Sequence, residues 1–130
     1  GSWMHLFFNS VMGVVLCMFF EKIFGARTTA IFFTLCILAG AALYFILSPF
    51  STLPVIGASG GISGLFAAVI YISMTQTGNP LAKRFSKHGP WPILAFWALL
   101  IIIPGLLIGQ SVAWQAHLGG YLAGISLLKE

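Results

Sequence analysis

Apolar residues run along this chain in long stretches broken by short polar interruptions. Five stretches can be placed, roughly 3–24, 28–50, 57–76, 91–110 and 113–128, each near the 20 or so residues an α-helix needs to cross a hydrocarbon core. None shows the strict alternation of a barrel strand, so the backbone in lipid must satisfy its polar groups inside helices. The pattern predicts an all-α membrane protein, a polytopic bundle of five transmembrane helices. No connection is long enough to join two units, so residues 1–130 read as one domain.

Local signals punctuate the spans. Glu21-Lys22 marks a boundary and Gly25 breaks the first helix. The 51–56 connection contains Pro54. The 75–90 connection is the most polar segment, with Asn79-Pro80 and Gly89-Pro90 as turn signals. Pro104 predicts a kink in the fourth span. Trp3, Trp91 and Trp114 fall near span ends, where indole rings suit a membrane interface.

Composition sharpens the class. The chain is 59% hydrophobic and 6% charged, more apolar than a soluble core of this size can hide. The formal charge of +4 suggests a nucleic-acid binder until its positions are considered. Lys22 and Arg27 flank the first connection, Lys83, Arg84 and Lys87 fill the third, and Lys129 ends the chain. With five spans these places share one face, which the positive-inside rule makes cytoplasmic. The expected partner is the lipid bilayer, that of the cell (plasma) membrane, and not nucleic acid. This topology puts the amino terminus outside and the carboxy terminus in the cytoplasm. An outside start predicts that a further span precedes residue 1 and that the sequence is a piece of a longer one. Cys17 and Cys36 read as small buried hydrophobes. His5, His88 and His117 lack ligand spacing, so no metal or cofactor is expected.

Polar side chains inside the spans are the candidates for chemistry, because burying them in lipid is costly. Spans one, three and five run in the same direction. His5, Ser59 and His117 each lie two to four residues inside their spans, within one helical turn of a common depth at about 1.5 Å rise per residue. A serine hydroxyl needs a base to take its proton, and neutral imidazole is the usual one. Ser59 is the expected nucleophile and His117 its base. Backbone N–H groups at the start of span three, Ser59 included, are unsatisfied by the helix and can hold an oxyanion. His5 and Asn9, spaced i and i+4, add side-chain donors. The only acids, Glu21 and Glu130, lie far from this depth, so the arrangement is a dyad.

Each part has a bland alternative. Small-residue runs in membrane helices usually mean close packing, and Gly60 with Gly64, like Gly120 with Gly124, has the spacing that lets helices touch. Gly61-Ile62-Ser63-Gly64 repeats the Gly-x-Ser-Gly pattern one turn deeper, but Ser63 can bond back to its own helix, and Ser59 is preferred. Packing gives no reason for His5, Asn9, Ser59 and His117 to share a depth, and that coincidence favours catalysis.

These residues resemble the rhomboid intramembrane serine proteases. His5-Leu6-Phe7-Phe8-Asn9 is similar to the family's HxxxN motif, and Glu21 with Gly25 to its acidic residue and glycine at the cytoplasmic end of the same helix. Gly57-Ala58-Ser59-Gly60 followed by Gly64 is similar to GxSGxxxG, and His117 with Gly120 and Gly124 to HxxGxxxG. The resemblance implies a serine endopeptidase with a Ser59–His117 dyad. It also implies an oxyanion hole of His5, Asn9 and the Ser59 N–H, and single-span membrane proteins as substrates. Gly120 and Gly124 would let span five approach span three. Two features depart from the family: its first helix and long outer loop are missing, and Ser63 stands where an aromatic residue often stacks on the histidine. A non-catalytic rhomboid-like protein that binds membrane helices is the alternative reading.

Overall fold

The computed structural model describes residues 3–52, 58–75, 89–108 and 114–129. They form five helices: α1 (Trp3–Phe24), α2 (Ala26–Leu47), α3 (Ser59–Thr75), α4 (Trp91–Ile108) and α5 (Trp114–Lys129). No strand occurs among the described residues. The expected all-helical bundle is what the chain forms. Two helices, over Leu6–Phe24 and Ala26–Leu47, meet both the length and the hydropathy of a membrane span, and the apolar parts of α3 and α4 are shorter.

The α1–α2 hairpin turns on one residue. Gly25 has φ 86° and ψ 163°, a region open essentially to glycine alone. Its N–H donates to the Glu21 carbonyl at 2.8 Å, and its own carbonyl accepts from the Thr29 N–H and hydroxyl. The second helix therefore begins at Ala26, two residues before the expected start. It also stops at Leu47 rather than near 50, because Ser48 (φ −137°, ψ 59°) leaves the helix ahead of Pro49, as a residue preceding proline tends to. Helix α4 continues through Pro104 to Ile108 without a break.

Helix α5 lies between α2 and α3 and packs most extensively on both, while α1 leans mainly on α3. The largest buried cluster joins Leu16 and Phe20 of α1, Phe32 and Cys36 of α2, and Leu65 and Ala68 of α3. Helix α4 is held through its first half. Trp91 and Trp97 meet Tyr71 and Phe66 edge-on, and the buried Tyr121 hydroxyl donates to the Leu94 carbonyl at 2.8 Å. Much of the apolar surface points outward: Phe7, Val14 and Met18 of α1 are each more than half exposed, a face suited to lipid and to no aqueous surface. The 76–88 connection, with Lys83, Arg84, Lys87 and His88, lies outside the described residues, as do Gly57 and Ser111.

Candidate active site

The end of the bundle opposite Gly25 gathers the polar side chains. Ser59 is the first residue of α3, and the helical ladder begins with the Ile62 N–H donating to the Ala58 carbonyl at 3.0 Å. The N–H groups of Ser59, Gly60 and Gly61 precede that ladder, at the electropositive end of the helix. His117 lies in the first turn of α5. Its Nε2 is hydrogen-bonded to Ser59 Oγ at 2.8 Å, and both side chains are half-buried. Two residues 58 positions apart in sequence thus touch at one depth of the bundle.

Glycine makes that approach possible. A Cβ on Gly120 would overlap the Gly60 carbonyl, and one on Gly124 would overlap the carbonyl of Gly64, so α3 and α5 meet backbone to backbone. The expected packing positions Gly60, Gly64, Gly120 and Gly124 therefore face one another in register. The sequence reading passes over the matching contact on the other side. A Cβ on Gly40 of α2 would run into the Ala116 carbonyl, and one on Gly119 would lie 2.8 Å from the Ala39 carbonyl.

Helix α1 approaches α3 from a third side. A Cβ on Gly13 would rest 3.7 Å from the Ile62 side chain, which fixes the face of α1 turned toward α3. Asn9 is one turn further out on that face, level with Ala58 and Ser59 by helical rise, and is half-buried. His5 lies one more turn out on the same face, and its side chain is outside the described residues. Ser63 is half-buried one turn deeper than Ser59.

A family model for the Rhomboid domain matches residues 1–129. The chain belongs to the rhomboid family. It is an integral membrane protein, and its bundle of apolar helices is that of a rhomboid domain. No curated protein and no solved structure matches it. Among the described residues of this rhomboid no group of three His, Cys, Asp or Glu side chains is placed to hold a metal ion.

Four polar side chains near the site are missing from the sequence reading. The Gln115 amide donates to Ser48 Oγ at 3.1 Å, joining the start of α5 to the end of α2. The Tyr44 and Ser51 hydroxyls are hydrogen-bonded at 2.7 Å across the turn that follows α2. The signal that singles out His117, a polar group just inside an apolar span, applies equally to Gln115 and Tyr44.

Proposed function

We propose that this rhomboid is an intramembrane serine endopeptidase that cuts single-span membrane proteins, with Ser59 as nucleophile and His117 as general base. The observation that carries the reading is the 2.8 Å hydrogen bond between Ser59 Oγ and His117 Nε2. In the neutral imidazole Nε2 accepts the Ser59 proton while Oγ attacks the scissile carbonyl. The imidazolium then gives that proton to the leaving amine, and water hydrolyses the acyl-enzyme by the same route. The tetrahedral oxyanion would lie against the Ser59 N–H at the start of α3, with His5 and Asn9 of α1 as further donors. Glu21 lies at the far end of α1, and the other acid of the chain, Glu130, is outside the described residues.

In the orientation that the basic residues favour, the site opens to the outer face, and cleavage falls in the outer part of the substrate helix. A shallow site admits the water that hydrolysis consumes. The deciding experiment is co-reconstitution with single-span substrates in proteoliposomes. Wild type yields two fragments and Ser59→Ala none, and a serine-directed fluorophosphonate labels wild type alone. Helix binding without cleavage by wild type would replace this reading with the non-catalytic one.

A further inference from the structure

Beside the dyad, the contacts that bring α5 to α3 are almost featureless. Gly60, Gly64, Gly120 and Gly124 meet through backbone atoms, and such a surface sets the distance between helices well. Backbone contact alone resists sliding poorly at this level, and the interlocking side chains lie deeper, where Tyr121 and Ile125 of α5 pack with Ala67, Phe66 and Ile70 of α3. A directional hydrogen bond does what a smooth contact cannot.

One such bond stands two residues before His117. Gln115 and His117 are about 200° apart on the helix at 3.6 residues per turn. One reaches Ser48 on α2 while the other reaches Ser59 on α3. Between them the Ala116 carbonyl lies against Gly40 of α2 and Gly60 of α3. The first turn of α5 is therefore gripped from both sides.

The acceptor is itself fixed. Ser48 caps α2, its N–H donating to the Tyr44 carbonyl at 2.8 Å. The Ser51 N–H donates to the Ser48 carbonyl at 3.1 Å, closing a turn with Pro49 at its second position, where proline's fixed φ is favourable. The Tyr44–Ser51 hydroxyl bond ties that turn back to α2. Ser48 Oγ is thus a rigid point against which α5 can be registered.

We propose that Gln115 is a positioning residue for His117. Its amide hydrogen bond to Ser48 sets the depth and rotation of the first turn of α5, and with them the Ser59–His117 contact. The catalytic consequence rests on the dyad reading above; the effect on the imidazole does not. A displacement of about 1 Å at a reacting group can cost 10²-fold in rate, so a partial slip is expected to cost about tenfold.

The test uses the purified protein in proteoliposomes with a single-span substrate. Gln115→Met keeps the length and packing of the side chain and removes the donor, Ser48→Ala removes the acceptor, and Ser48→Thr restores a hydroxyl. Both disrupting variants should lower kcat and the fluorophosphonate labelling rate about tenfold, with KM little changed. The double variant should be no slower than the worse single, as for two halves of one interaction. Ser48→Thr should recover most of the rate. The 15N resonances of the His117 imidazole, assigned against His117→Asn, should move in Gln115→Met and Ser48→Ala alike. Unchanged resonances and rates in both, or losses that simply add, would overturn the positioning role. Cleavage that survives Ser59→Ala would instead remove the dyad, and the imidazole resonances would still decide whether Gln115 orients His117.

Discussion

Gly120 of α5 lies so close to Gly60 of α3 that a methyl group on it would occupy the space of the Gly60 carbonyl oxygen. The contact sits directly beside the Ser59–His117 hydrogen bond, since Gly60 follows Ser59 and Gly120 lies one turn beyond His117. The absence of two side chains thus sets the separation across which an alcohol and an imidazole can meet.

Gly120→Ala should therefore lower stability by about 1–3 kcal/mol, the usual range for overpacking a tight contact, and should suppress substrate cleavage. Gly13→Ala is the control. Its new methyl would meet Ile62 at an ordinary 3.7 Å, and alanine is the better helix former by up to about 1 kcal/mol. Unfolding in graded SDS separates the two, and equal stability of Gly120→Ala and wild type would contradict the close-packed α3–α5 contact.

His117→Ala removes the proposed base and keeps the nucleophile. The labelling rate of Ser59 by a fluorophosphonate should fall by about 10²–10⁴, the usual contribution of a positioned general base, with little change in SDS unfolding. Labelling at the wild-type rate would mean that Ser59 is not activated by His117.

Gly25→Ala tests the hairpin. A Cβ there would meet nothing within 4 Å, so its cost is one of backbone conformation and not of packing. Holding alanine at φ 86° and ψ 163° should cost about 1–3 kcal/mol. A variant as stable as wild type would show that the α1–α2 turn can adopt another conformation.

Tyr121→Phe removes the hydroxyl that reaches Leu94 and leaves the ring in its buried place. Hydrogen bonds between membrane helices are worth about 0.6–2 kcal/mol, so a loss of that size is expected. Faster amide exchange confined to α4 should accompany it. Uniformly faster exchange across all helices would argue against a local role in docking α4.

How much was legible in the sequence differs from element to element. Gly25 could be read as a break because its effect is local and glycine alone tolerates that backbone. The end of α2 was misplaced by three residues. Apolar Phe50 carries the hydropathic pattern past the point where Ser48, restricted by Pro49, has already left the helix. Gln115 and Ser48 went unread because each is unremarkable alone. A hydrogen bond spanning 67 positions has no local signature.

The amino-acid order by itself determined that the chain is a helical membrane bundle, because long apolar stretches admit no other solution in lipid. It also led to the expectation that His5, Asn9, Ser59 and His117 share a depth, since helical rise turns residue counting into distance along the membrane normal. Ser59 and His117 do touch, whereas His5 lies a turn further out than Asn9. Which helices are neighbours, and which face each turns to the next, was decided only by the tertiary structure. Rotation about a helix axis in lipid follows from where glycine backbones can meet and where Gln115, Ser48, Tyr121 and Leu94 find hydrogen-bond partners. Those are properties of pairs of helices and of neither member alone.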